Sequence, residues 1–199
     1  LFRLHPAQAG LVIALTAGGT LAFYTYTTYM QKYLVNSAGF SRVDASAIMA
    51  GALFLFMIAQ PLFGALSDRI GRKPLMIGFG LAGLFGTVPL FRALEGTNDP
   101  ATAFALVMIA LMAVSGYTSI NAVVKAELFP AHIRALGVAL PYAISNALFG
   151  GSAEYVALQL KDWGHEGAFY WYVSAMSGLS LIVYVMMSDT RITSLIDRD

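Results

Sequence analysis

Six runs of predominantly apolar residues dominate this 199-residue chain, near 8–31, 43–67, 74–94, 101–127, 135–160 and 168–188. Each can cross the roughly 30 Å hydrocarbon layer of a bilayer, a distance that takes about 20 helical residues. Backbone amides in lipid must be satisfied inside the segment, and none of the runs alternates with the period of two that marks a barrel strand. The expectation is therefore an all-α membrane protein, one six-helix bundle over residues 1–199. The first run lies behind Arg3 and superficially imitates a signal peptide, but it is too long and too rich in Tyr and Thr, and no cleavage signal ends it.

Composition fits a chain solvated by lipid, since 58% of the residues are hydrophobic and only 12% charged, where a soluble domain carries about a quarter. A net charge of +1 speaks against a nucleic-acid partner, which requires a concentrated basic face. Without cysteine there are no disulfides, thiolate metal sites or cysteine nucleophiles. Metalloprotease, esterase and Walker signatures are missing from the sequence, and His5, His132 and His165 fall in connections, so neither an enzyme nor a metal centre is expected. No cofactor is expected, and an ion gradient is the expected energy source. A channel would call for a re-entrant filter or a ring-forming charge, and neither is visible.

Orientation follows from the cations in alternate connections. Arg3, Arg69, Arg72, Lys73, Lys125, Arg134, Arg191 and Arg198 fall on one side, and Lys32, Arg42, Arg92 and Lys161 on the other. The richer side is expected to be cytoplasmic, which places both ends of the segment there.

Polar side chains within spans are costly and point to a pathway. Tyr117, Asn121 and Lys125 recur at i, i+4 and i+8, so one stripe carries a phenol, an amide and an ammonium. Such a stripe suits a small organic anion; the alternative is that Lys125 snorkels to the interface or pairs with Glu127 or Glu154. Tyr142, Asn146, Gly150 and Glu154 recur in the same way in the fifth run. Burial would make Glu154 a candidate proton carrier, although its nearness to Lys161 also fits an ordinary interfacial acid. Asn146 either faces the cavity or bonds a neighbouring helix.

In the first run, Tyr24 and Thr28 are the expected cavity residues, with Tyr29 and Tyr33 suited to an aromatic belt. The threonines of Tyr24-Thr-Tyr-Thr-Thr-Tyr29 can bond their own backbone and permit a bend. Gln60-Pro61 reads as a kink with a polar partner. Small residues at Gly10, Ala14, Gly18 and Ala22, and at Gly78, Ala82 and Gly86, read as packing stripes.

Between the second and third runs lies Gly64-Ala-Leu-Ser-Asp68-Arg69-Ile-Gly71-Arg72-Lys73-Pro74. Gly64 permits close approach of a neighbour, Asp68 can pair near a helix end, the cations hold the turn on one side, and Pro74 starts the next helix. A later connection reads Ala126-Glu127-Leu-Phe-Pro-Ala-His-Ile-Arg134-Ala-Leu-Gly137. These two stretches, with Thr16-Ala-Gly-Gly-Thr20-Leu and Phe149-Gly-Gly-Ser-Ala-Glu154-Tyr-Val-Ala-Leu, resemble the major facilitator superfamily, and within it the metabolite:proton symporters, over nearly the whole chain.

The resemblance implies one half, helices seven to twelve, of a twelve-helix fold that binds its substrate between two six-helix bundles. The Phe-Pro connection and short charged tail are similar to the carboxy-terminal half. A missing amino-terminal half is thus an expected partner, beside the lipid bilayer and protons. A natural half-transporter that dimerises is the alternative. The resemblance further implies symport of a dicarboxylate such as α-ketoglutarate, or of citrate, proline or betaine, in a bacterial inner membrane. It also implies a gate whose parts in this chain are Gly64, Asp68, Arg69, Gly71, Arg72, Lys73, Glu127 and Arg134. A structural or sensory membrane protein is the reading without transport.

Overall fold

A computed structural model describes residues 6–190, so Arg3, His5, Arg191 and Arg198 lie outside the described residues. Among the described residues, all regular structure is helical. The first pass comprises α1 (Pro6–Tyr24), a π-helical turn (Thr25–Tyr29) and α2 (Met30–Asn36). Next come α3 (Arg42–Ile70) and α4 (Arg72–Glu95). The next pass, α5 (Pro100–Thr118), resumes after a short turn as α6 (Asn121–Glu127). Then α7 (Arg134–Ser145), a second π-helical turn (Asn146–Gly150) and α8 (Ala153–Asp162) precede α9 (Glu166–Met186).

Five passes are long and apolar enough to cross a membrane as helices. The sixth, expected as one helix over 135–160, is instead divided by its π turn and by Gly151-Ser152. The tyrosine-threonine run is the other irregular place. There the hydroxyls of Thr25 and Thr27 donate to the carbonyls of Leu21 (2.7 Å) and Phe23 (2.6 Å), taking acceptors that the regular ladder would use.

Helix ends follow local chemistry. Ser41 caps α3 by accepting the Asp44 amide at 3.0 Å. Asp99 caps α5 ahead of Pro100, accepting the amides of Ala101 and Thr102 at 3.4 and 2.9 Å. Bonds from the Thr102 hydroxyl and then its amide hold the Asp99 carboxyl below the usual carboxylate range. Gly71 alone separates α3 from α4, at φ +98°, a conformation that a side chain would strain.

Helix α9 is central, packing on α4 and on α1, while α5 lies against α3 and α4, and α7 against α1. Lipid gives no hydrophobic drive between helices, so close approach and hydroxyl bonds carry the packing. The Gly18 amide donates to Ser180 Oγ (3.0 Å), Ser180 donates to the Ala14 carbonyl (2.9 Å), and the Tyr184 phenol donates to the Leu15 carbonyl (2.8 Å). On α4 the close approaches to α9 fall at Gly80 and Gly83, where an added methyl would lie 2.8 Å from Leu181 and 2.6 Å from Ser177. Gly78 and Gly86 face open space, so the 78/82/86 stripe is not the packed face of this helix. Gly10 likewise meets nothing. Large apolar side chains such as Phe54, Phe85, Ile109, Trp171 and Met186 point outward, where lipid costs them nothing.

The polar groups gather at two ends. At one, Asp68, Arg72, Glu127 and Asp189 converge. At the other, Glu166 accepts from Tyr29 and Ser37 and pairs with Lys161, above a stack of Phe91 on Tyr170 with ring centres 4.5 Å apart.

Candidate functional site

The helix break after Thr118 opens a chamber of about 290 Å³, lined by Thr20, Gln60, Tyr117, Thr118, Asn121 and Tyr142 among others. Gln60 braces it: its amide nitrogen donates to the Phe56 carbonyl and to Ser115 Oγ, both at 3.1 Å, and its oxygen accepts from Thr118 at 2.8 Å. Pro61 thus sits in a helix whose neighbouring amide is tied across to α5. Asn121 donates to the Thr118 carbonyl (2.9 Å), closing the break from the other side.

Behind Asn121 lies Lys125, 1% exposed. Its ammonium donates to Asn121 Oδ1 at 2.9 Å and lies 4.1 Å from the centre of the Tyr142 ring and 5.7 Å from that of Tyr117. It neither snorkels nor pairs with the two acids considered for it, because Glu127 reaches Arg72 and Glu154 reaches Lys32. Among the described residues no carboxylate pairs with it. The buried hydroxyls of Thr16 and Tyr117 face one another nearby without full hydrogen-bond geometry to any group.

Asn146, on the second π turn, accepts from Thr20 (2.6 Å) and donates to the Tyr24 hydroxyl (3.5 Å). It is therefore a helix-to-helix contact that joins Thr20, which lines the chamber, to Tyr24, which lines a second opening of about 410 Å³ with Thr28, Gly150 and Glu154. Thr28 is exposed there. Glu154, ion-paired with Lys32 and with 31% of its side chain exposed, is not the isolated buried carboxyl that a proton carrier calls for. Glu154 lines the opening together with Gly150 of its stripe, beyond the break at Gly151-Ser152.

At the far end Arg72 organises the charged cluster. Its guanidinium donates to Asp68 (2.5 Å) and Ser67 (2.7 Å) and lies 3.7 Å from Glu127, whose other oxygen accepts from Thr190 at 2.5 Å. Asp189 accepts the amides of Arg72 (3.3 Å) and Lys73 (3.4 Å) at the start of α4, where the helix dipole favours an anion. Gly71 leaves room for that carboxylate, since an added methyl there would collide with it. Gly64 meets no neighbour, contrary to the close approach expected, because its side of α3 faces outward. Helix α4 starts at Arg72, two residues before Pro74. Arg69 is exposed, and Arg134 donates to the Phe129 carbonyl at 3.2 Å.

Asp189 and Thr190 escaped the sequence reading, having shown only as part of a charged tail. Nothing in their spacing signals partners 117 and 63 residues back.

A helical bundle that keeps polar groups at mid-depth, with ionic clusters at its ends, has the parts of a membrane carrier. The chain belongs to the sugar (and other) transporter family, within the major facilitator superfamily, whose model matches residues 2–199. It is 56% identical over 177 residues to the α-ketoglutarate permease of Escherichia coli, covering 89% of this chain and 41% of that protein. It is 32% identical to the ectoine/proline transporter ProP of Corynebacterium glutamicum (90% and 36%) and 27% identical to the citrate-proton symporter of Salmonella typhi (91% and 42%). The chain thus spans less than half the length of these curated relatives. No solved structure matches it.

Proposed function

We propose that the chain is the carboxy-terminal six-helix half of a proton-coupled symporter for a dicarboxylate such as α-ketoglutarate. The observation that carries this reading is Lys125, a cation buried against the central chamber with no acid to pair with among the described residues. Such a charge is costly unless an anion completes it, and a substrate carboxylate is that anion. Asn121, Tyr117 and Tyr142 supply an amide and phenols around it, and Tyr24, Thr28 and Asn146 line the approach. Lys32 and Arg42 at the outer mouth add attraction for anions. The 56% identity to a protein named as an α-ketoglutarate permease favours that substrate over proline, betaine or citrate.

In this reading the segment sits in the bacterial inner membrane with its Arg72 end and both termini cytoplasmic, and an amino-terminal half completes the site. Alternating access proceeds as the two halves rock. The contacts of Arg72 with Asp68 and Glu127, closed by Asp189 and Thr190, form the inner latch that yields during the motion.

The test is competition in cells that express the full-length parent. Labelled α-ketoglutarate uptake should be displaced by other dicarboxylates and spared by proline and betaine. Lys125→Ala should weaken uptake of the anion far more than of any neutral solute. Displacement by proline or betaine, or an equal loss for both solute classes, would remove the substrate assignment.

A further inference from the structure

Among the described residues, candidates to take up the coupled proton include Glu154 at the outer mouth, Glu166 in the tyrosine cluster, and Lys125 behind the chamber. Glu154 is paired with Lys32 beside water. Glu166 holds Lys161 and accepts from Tyr29 and Ser37, so both its oxygens are committed to cross-links that fasten α9 to the first pass and to α8. Lys125 differs from both. It lies at the junction of α6 with α5 and α7, and its one hydrogen bond uses one of three ammonium donors. Among the described residues, the titratable groups that face it are the phenols of Tyr117 from α5 and Tyr142 from α7. On its own helix, Glu127 is turned away to Arg72 and Thr190. Its environment therefore has aromatic rings and an amide where a counter-ion would stand.

We propose that Lys125 carries the coupled proton in the same event that binds the anion, as an ammonium when a substrate carboxylate pairs with it and as an amine when none does. This rests on the reading of the chain as half of an anion carrier. Each turn of the cycle balances. On the entry side the amine takes one proton from water as the carboxylate arrives and the Tyr142 ring moves aside. On the exit side the carboxylate leaves, the ammonium returns its proton to water, and the amine resets. An ammonium left behind without its carboxylate would be a lone charge in a low-dielectric site, so the anion and the proton are released together. Tyr142 suits the placeholder role because its ring covers the Lys125 nitrogen at 4.1 Å while its other side lines the chamber.

The experiment uses the full-length transporter, purified and reconstituted. Binding of α-ketoglutarate to the wild type, titrated calorimetrically in two buffers of different ionisation enthalpy, should show proton uptake linked to the anion. Lys125→Arg, whose charge is permanent, should bind α-ketoglutarate without proton uptake in the same titration and, in proteoliposomes, lose accumulation driven by a pH gradient. Wild-type binding without proton uptake would overturn the proposal, as would gradient-driven accumulation by Lys125→Arg at the wild-type level. So would selective loss of accumulation, with exchange retained, in Glu154→Gln. Should Lys125→Arg fail to fold, the wild-type titration decides alone. A wild type that neither binds nor exchanges α-ketoglutarate contradicts the transport reading itself, an outcome distinct from coupled transport that bypasses Lys125.

Discussion

The Lys125 ammonium lies 4.1 Å from the centre of the Tyr142 ring, so a helix-6 cation and a helix-7 aromatic are packed face to face with no acid between them. Tyr142→Leu removes the ring that covers the Lys125 nitrogen in the empty site and should therefore lower the thermal stability of the purified transporter, and added α-ketoglutarate should recover more stability in this variant than in the wild type. Tyr142→Phe keeps the ring and should behave as the parent. Thermal unfolding with and without the anion checks both expectations.

The charged cluster makes a second prediction. Arg72→Ala strands Glu127, which is 6% exposed, and removes the tie to Asp68 and Ser67. Leaving such a group unpaired costs about 1–3 kcal/mol. Gly71→Ala adds strain at φ +98° and drives a methyl into Asp189, a cost of similar size, about 1–3 kcal/mol. Both variants should insert normally and transport slowly, with Asp189→Asn milder because its one amide oxygen can still accept one of the Arg72 and Lys73 backbone amides. Uptake normalised to the amount inserted in the membrane is the measurement, and parental rates in all three would remove the latch.

How much of this was legible in the residues differs from part to part. Five of the six spans were, because lipid forces about twenty consecutive apolar residues and internal backbone bonding on any helix that crosses it. The Asp68–Arg72 contact was also within reach, since its partners are four residues apart on one helical surface. The stripe Tyr117, Asn121 and Lys125 does converge, yet it is sited on a broken helix, and the break at Ser119-Ile120 carries no glycine or proline to announce it. What escaped was set by tertiary contact. Arg72 to Glu127, Lys32 to Glu154 and Asp189 to the start of α4 join residues far apart in the chain, and no local period encodes them. The packed face of α4 escaped for a related reason: two small-residue faces, 78/82/86 and 80/83, are available, and only the position of α9 chooses between them.

Asn146 bonds Thr20 of the chamber and Tyr24 of the second opening, so it is placed to close one from the other. The segment has no cysteine, which makes the division open to chemical labelling. In an otherwise cysteine-free parent, Thr118→Cys should react slowly with a membrane-impermeant thiol reagent added outside, and several-fold faster once Asn146→Ala is combined with it. Equal rates would mean that Asn146 closes nothing.

Asp99, outside the spans, gives a pH dependence of defined sign. Bonds from the Thr102 hydroxyl and the Thr102 amide hold its carboxyl below the ordinary 3.8, so its cap contributes fully above that value and is lost as pH falls through the depressed one. Amide exchange at Ala101 and Thr102 should stay slow from neutral pH down to that point and quicken below it. In Asp99→Asn, whose side chain does not ionise, the step should vanish. A step persisting in that variant would assign it to another group.

Uptake of labelled α-ketoglutarate into proteoliposomes of the full-length parent, under an inward proton gradient and again after a protonophore, bears most directly on the transport reading. Accumulation above equilibrium that collapses with the gradient is the expected result. No flux of α-ketoglutarate, or flux indifferent to the protonophore and to an imposed pH gradient, would contradict it.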